Sequence, residues 1–131
     1  MKKFLTILCV GCVLGMANGV CACEGDVITD RYDSSKQYCR SKYIMNWWSA
    51  YQWCQSQGYV LAPPESCNYA SGQNMNHWQN MGCSNINLSN DYTCWLNHIN
   101  SDGKALHFFS WGSLSYSALT YAYGYLAICK M

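Results

Sequence analysis

The chain has 131 residues, ten of them cysteines, and a formal net charge of +1. This cysteine density is typical of disulfide-bonded proteins in oxidising compartments and argues against the reducing cytosol. Charged residues make up 11% of the chain and form no basic patch, so we do not expect nucleic acid as a partner. The 11 tyrosines and 6 tryptophans suit either a binding surface or ordinary sheet packing.

The N-terminus has the pattern of a secretory signal peptide. Lys2 and Lys3 precede an apolar run at residues 4–14, and small residues follow. The run is shorter than the roughly 20 apolar residues that a membrane span needs. We therefore predict a signal peptide over residues 1–22 and a protein that is secreted, periplasmic or held at the outer cell envelope. Without the two lysines, six basic residues face seven acidic ones.

The cleavage site stays open between two positions. Cleavage after Gly19 leaves eight cysteines. The segment Val20-Cys21-Ala22 before Cys23 loosely resembles a lipobox, in which Cys23 would carry lipid and six cysteines would remain for pairing. Cleavage after Ala22 without lipid leaves seven cysteines and strands one thiol. We favour free secretion, and we expect membrane contact only if Cys23 is lipidated.

The mature chain is short enough to be one domain. Residues 23–37 are polar and predict an N-terminal arm or a weak hairpin, and residues 38–131 form the domain. A short strand is predicted at Tyr38–Ile44.

A helix at Trp47–Gln57 is the clearest predicted element. Asn46 is a good N-cap, because its side chain can accept a hydrogen bond from a free backbone N–H of the first turn. Gly58 can adopt positive φ and end the helix. Because three tryptophans cannot share one helical stripe, at least one is expected to be partly exposed or packed under the arm. The apolar positions share one face at helical spacing: Trp47, Ala50, Tyr51 and Cys54.

The middle of the chain predicts a short buried strand at Tyr59–Ala62 and then a second, shorter helix. Pro64 and Glu65 suit the first turn of that helix, where a missing N–H is harmless and negative charge is favoured. Residues 71–91 are predicted to be mostly loop, with one helical turn near His77–Met81.

The last forty residues predict β-structure. The Asp102-Gly103 pair is typical of a hairpin turn, and a second turn is expected at Trp111-Gly112. Four strands are predicted, at Tyr92–Asn97, Ala105–Ser110, Leu114–Ser117 and Tyr121–Lys130.

Two segments together resemble the C-type-lectin-like superfamily. Trp47–Ala62 resembles the first helix of that fold, and Tyr125–Lys130 resembles its final strand. The tail at Phe108–Ser117 and Tyr123–Lys130 is similar to the Lcl C-terminal-like domains of bacterial surface proteins. The resemblance covers about residues 38–131. It implies a disulfide-stapled α+β fold of C-type-lectin-like type, with two helices flanking a twisted, mostly antiparallel sheet.

The resemblance also implies a disulfide pattern. Cys54 on the first helix should pair with Cys129 on the last strand. Cys67 and Cys83 are the next expected pair, which closes the middle segment. Connectivity does not follow from sequence alone, so the remaining assignment is open: Cys39 is expected to pair with Cys21 or Cys23, and Cys94 and the other arm cysteine stay unplaced.

No metal or cofactor is expected. The Glu-Pro-Asn, Gln-Pro-Asp and Trp-Asn-Asp triplets of calcium-dependent sugar binders do not occur. After Tyr92 the sequence has one carboxylate, Asp102, whereas calcium takes six to eight oxygen ligands. The three histidines match no zinc-finger spacing, and His107 is expected to be a packed or surface histidine. These histidines are His77, His98 and His107.

The sequence has no Gly-x-Ser-x-Gly motif and no compelling carboxylate pair, so we predict that the protein is not an enzyme. We expect a calcium-independent binding or adhesion module that recognises a glycan or a surface protein. The alternative is a structural envelope component that associates with itself. The candidate ligand-binding residues are Trp111, Tyr116, Tyr121, Tyr123, Asn87 and Asn90.

Overall fold

The computed structural model describes residues 22–67, 83, 85–86, 92–109, 113–121 and 124–131. No helix in this part of the chain is long and apolar enough to cross a membrane. The described elements are β1 (Asp26–Thr29), β2 (Gln37–Arg40), α1 (Trp47–Ser56), β3 (Val60–Leu61), a 3₁₀ turn (Pro64–Ser66), β4 (Thr93–Ile99), β5 (Lys104–Phe109), β6 (Leu114–Ala118) and β7 (Leu126–Lys130).

The predicted α+β fold with two helices flanking a sheet is wrong, because the described chain is mainly β and contains one α-helix. The second predicted helix is a single 3₁₀ turn, Pro64–Ser66. Cys67 follows it in extended conformation (φ −85°, ψ 150°) and is bonded to Cys83. The backbone therefore leaves helical geometry after one turn, and the favourable start at Pro64 is not continued.

The strands form one sheet in the order β1-β2-β7-β4-β5-β6, and β3 also pairs with β7. All neighbours are antiparallel except β4 and β7, which run parallel. The arm is therefore part of the sheet, since β1 pairs with β2 in a hairpin. Strand β7 is central, with β2 on one side and β4 and β3 on the other.

Alternation along the strands divides the core between two faces. In β7, Leu126 and Ile128 belong to one buried cluster, whereas Ala127 and Cys129 belong to the other. We call the side covered by α1 the helix face. The opposite side, which we call the loop face, packs against Ala62, Cys67, Cys83 and Ile86.

The helix prediction is confirmed. Asn46 Oδ1 accepts a hydrogen bond from the Ser49 N–H at 2.8 Å, as an N-cap should. Gly58 follows the helix with φ 81°. Trp47 is buried and donates its indole N–H to the Leu96 carbonyl at 2.9 Å. Trp48 is half exposed, so one of the three tryptophans does lie off the buried stripe.

The last predicted strand is shorter than expected. Strand β7 begins at Leu126 rather than Tyr121, and Tyr125 forms a single bridge with Met45. Gly124 has φ 59°, a left-handed conformation that regular strands do not contain. The sequence alternation that begins at Tyr121 therefore extends beyond the strand, which starts at Leu126.

Three disulfides lie within the described residues, which confirms the prediction of a disulfide-bonded protein. The Cys54–Cys129 bond ties α1 to β7 across 75 residues, a loop closure of about 4–5 kcal/mol in the chain-entropy estimate. These bonds are compatible with an extracellular or secreted location. The bonded pairs are Cys54–Cys129, Cys67–Cys83 and Cys23–Cys39.

The β1–β2 turn is anchored by a buried carboxylate. Asp30 accepts hydrogen bonds from the Tyr38 hydroxyl and from the Asn85 amide, which also donates to the Ser66 carbonyl. Burial would raise the pKa of Asp30, but these bonds and two backbone N–H donors hold the pKa below its ordinary value. The carboxylate thus joins the hairpin to the segments beside Cys67 and Cys83.

Candidate functional site

Of the predicted ligand-binding residues, the two that the structure describes lie on opposite sides of the sheet. Tyr116 in β6 packs against the loop-face core, and its ring centre is 5.9 Å from that of His98. Tyr121 lies on the other side, where its ring centre is 5.4 Å from that of Tyr125. The other four candidates, Trp111, Tyr123, Asn87 and Asn90, lie outside the described residues.

Several large exposed side chains lie just before α1 and in its first turn. Tyr43 is 78% exposed, Ile44 59% and Trp48 49%. Tyr121 is 38% exposed. We call these four residues the aromatic edge. The sequence predicts a strand that includes Tyr43 and Ile44, and it does not decide which tryptophan is exposed.

Backbone hydrogen bonds place the two segments of the aromatic edge side by side. Met45 and Tyr125 exchange two bonds, at 2.9 and 3.0 Å. The Trp47 N–H donates to the Leu119 carbonyl at 3.2 Å. Residues 43–48 therefore lie next to Leu119 and Tyr125, although the segments are more than seventy positions apart in sequence.

The aromatic edge has little formal charge, and the ring of Trp48 is held in place by buried aromatic neighbours. Residues 43–49 and 118–121 contain no Lys, Arg, Asp or Glu, and Lys42 lies just before them. The Trp48 ring packs edge-on against buried Trp47, with ring centres 5.0 Å apart, and Trp47 stacks on Tyr51 at 5.4 Å. A neutral aromatic surface of this kind can stack on a sugar ring or fill an apolar pocket of a protein.

A buried polar cluster lies behind Tyr121. His107 in β5 is 1% exposed, and its ring centre is 4.3 Å from that of Tyr125 and 5.7 Å from that of Trp95. His107 Nε2 lies 2.8 Å from Ser117 Oγ, which is 3.3 Å from the Tyr125 hydroxyl. Burial lowers the pKa of His107 to about 4, so the imidazole is neutral at neutral pH.

A serine beside a neutral imidazole has the spacing of a nucleophile and its base. However, His107 Nδ1 is buried without a hydrogen-bond partner, and no carboxylate of the described residues orients the ring as in a catalytic triad. The Ser117 hydroxyl instead links His107 to the Tyr125 hydroxyl, and the Tyr125 ring packs against Tyr121 of the aromatic edge. The sequence predicts a packed or surface histidine at this position. The diagonal contact from His107 to Ser117 depends on the β5–β6 register.

Metal binding gains no support from the described part of the chain. No group of three or more His, Cys, Asp or Glu side chains there is placed to hold an ion. His98 contacts Tyr116 on the loop face, whereas His107 lies on the helix face. His77 lies outside the described residues.

A small cleft of about 160 Å³ lies where the β1–β2 turn, the 3₁₀ turn and the end of β7 meet. Its rim carries charges of both signs on Lys36, Glu65 and Lys130. Tyr38 lines the cleft, but its hydroxyl donates to Asp30. The cleft thus has no charge preference that would single out a ligand.

The lipidation alternative at Cys23 conflicts with the observed bond. The Cys23 sulfur is bonded to Cys39. A thioether-linked lipid would need the same sulfur, so the two states exclude each other. Of the two partners that the sequence allows for Cys39, the structure shows Cys23.

Together these features define a small, mainly β, disulfide-bonded domain with an exposed aromatic edge. Comparisons with protein-family models, curated proteins and solved structures found no match to this chain. The resemblance to the C-type-lectin-like superfamily therefore stays a prediction, as does the absence of enzymatic activity.

Proposed function

We propose that this domain is a calcium-independent binding or adhesion module, secreted or displayed at a bacterial cell envelope, that recognises a glycan or a surface protein. The observation that carries the proposal is the aromatic edge. Tyr43 and Trp48 offer large amphipathic rings at the surface, and such residues dominate the energetics of protein and glycan contacts.

Rigidity supports this proposal. Trp48 stands on the first turn of α1, which is capped by Asn46 and covalently tied to β7 through Cys54. A side chain that is already held in place loses little conformational entropy when it binds. The aromatic edge is therefore suited to binding without rearrangement of the fold.

The test is a binding screen with matched variants. The purified protein is applied to a glycan array and to intact bacterial cells, with and without EDTA. We expect binding that EDTA does not change and that Trp48→Ala or Tyr43→Ala weakens at least about tenfold, as for an interface hot spot.

Tyr32→Ala is the control, because Tyr32 is 67% exposed on the distant β1–β2 turn. Its loss should leave binding unchanged. Equal effects of the Tyr32 and Trp48 substitutions, or no binding to any surface, would contradict the proposal.

Self-association is the second candidate, and the sheet edges favour it. Among the described strands, β1 and β6 end the sheet order, and Val27 of β1 is half exposed. Open edge strands can pair with another chain. Analytical ultracentrifugation distinguishes the two functions, because a structural component should form oligomers whereas a binding module should remain monomeric at the same concentration.

A further inference from the structure

The state of each cysteine from Cys23 onward is described by the structure. Of these seven, six form the three described bonds and Cys94 is free and buried. We infer that the signal peptide is removed after Ala22, so that the mature chain begins at Cys23 and carries no lipid there. This inference rests on the secretion that the proposed function includes.

A mature chain with seven cysteines leaves one thiol unpaired, and Cys94 is a position where an unpaired thiol is harmless. It is 0% exposed in β4, within the loop-face core. Burial raises the pKa of its thiol, which suppresses the reactive thiolate. An unpaired cysteine in this position behaves as a small apolar core residue, so seven cysteines are compatible with a stable oxidised protein.

A retained Cys21 would have to find a partner within reach of Cys23. It lies two residues before Cys23, which packs against the helix-face core. Two residues span at most about 7 Å, whereas Cys94 lies in the loop-face core across the sheet. A mature chain that began at Val20 would therefore carry a thiol beside the Cys23–Cys39 bond and away from the free core cysteine.

Such a thiol would threaten the neighbouring bond. A Cys21 thiolate that attacks Cys39 forms a Cys21–Cys39 bond and expels Cys23 as a thiolate. Removing Cys21 with the signal peptide prevents this exchange. The described cysteine bonds thus favour cleavage after Ala22 over cleavage after Gly19.

The local structure agrees with a chain that starts at Cys23. Ala22 is small, as signal peptidases require, and exposed. From Cys23 onward the chain is anchored, since the Glu24 N–H donates to Gln57 Oε1 at 2.7 Å. Hydrolysis of the Ala22–Cys23 bond consumes one water and leaves a carboxylate on Ala22 and an ammonium group on Cys23.

Mass spectrometry of the protein exported from a bacterial host tests the inference. The expected product starts at Cys23, lacks two hydrogens for each of its three disulfides, and reacts with one iodoacetamide only after denaturation. A product that starts at Val20, a diacylglyceryl mass on Cys23, a fourth bond, or a chain that is never exported would overturn it.

Two matched variants locate the cleavage site independently. Ala22→Leu places a bulky residue before the inferred site and should accumulate precursor. Gly19→Leu should be processed like the wild type. The reverse pattern would overturn the inference. Neither result depends on the aromatic edge, so failure of this inference and failure of the binding proposal are distinguishable.

Discussion

His107 makes the stability of the folded domain depend on pH in a defined window. Its ordinary pKa is 6.5, and burial lowers the folded-state pKa to about 4. The ring is enclosed by Trp95, Phe109 and Tyr125, and no acidic side chain of the described residues is bonded to it. The folded state takes up this proton less readily than the unfolded state. The contribution of His107 to the free energy of unfolding is therefore complete above pH 6.5 and is lost as the pH falls from 6.5 to 4.

The size of the loss follows from the difference between the two pKa values. Each pKa unit corresponds to about 1.4 kcal/mol, so His107 can account for roughly 3 kcal/mol across the window. That is a large part of the stability of a typical small domain.

The perturbation is His107→Gln, which removes the titrating ring but keeps an amide that can hydrogen-bond to Ser117. Urea unfolding of the oxidised protein is measured at several pH values from 7 to 4. As the pH falls, the free energy of unfolding should decrease more steeply for the wild type than for the variant. The difference between the two slopes should reach about 1.4 kcal/mol per pH unit.

His98→Gln is measured alongside as the matched imidazole-to-amide substitution on the loop face. Equal slopes for wild type and His107→Gln between pH 6.5 and 4 would refute the assignment of His107 as a buried neutral base.

Three further predictions concern the anchors of the fold. Asp30→Asn should lower the free energy of unfolding by about 2 kcal/mol. Because its lowered pKa makes the ionised Asp30 carboxylate stabilising above pH 3.8, the wild-type free energy of unfolding should fall below that pH, and the variant should lack this decrease. The same decrease in both proteins would count against the prediction. Gly124→Ala should cost about 3 kcal/mol, because φ is 59° and a Cβ would collide with the Met45 carbonyl. Gly103→Ala is the control, because φ is 76° but an added Cβ would meet no neighbouring atom, and it should cost about 1 kcal/mol. Equal melting temperatures for the two glycine variants would contradict the predicted difference. Replacing Cys54 and Cys129 together with alanine should cost about 4 kcal/mol in urea unfolding, and a change below about 1 kcal/mol would show that the bond adds little.

Local sequence signals predicted the elements that are determined locally. The cap at Asn46, the apolar stripe from Trp47 to Cys54 and Gly58 define α1 within one short segment. The Asp102-Gly103 turn is also present between β4 and β5. These features depend on backbone geometry and side chains within a few residues of one another.

Long-range contacts decided the features that sequence missed. The strand predicted to reach Ile44 ends at Arg40. Ser41 Oγ then accepts the Ala127 N–H at 2.9 Å and donates to the Tyr43 carbonyl at 2.9 Å. The bond to Ala127 crosses 86 positions, so no local pattern could reveal that Tyr43 and Ile44 leave the sheet. The position of Tyr116 on the loop face depends in the same way on the register of β6 against β5.

Quantitative binding is the most direct test of the aromatic edge as the recognition surface. For whichever glycan or cell surface the screen identifies, dissociation constants are measured by titration for wild type, Trp48→Ala and Tyr32→Ala, with circular dichroism to verify folding. We expect Trp48→Ala to bind at least about ten times more weakly while Tyr32→Ala matches wild type. Wild-type affinity in a folded Trp48→Ala protein would contradict the account.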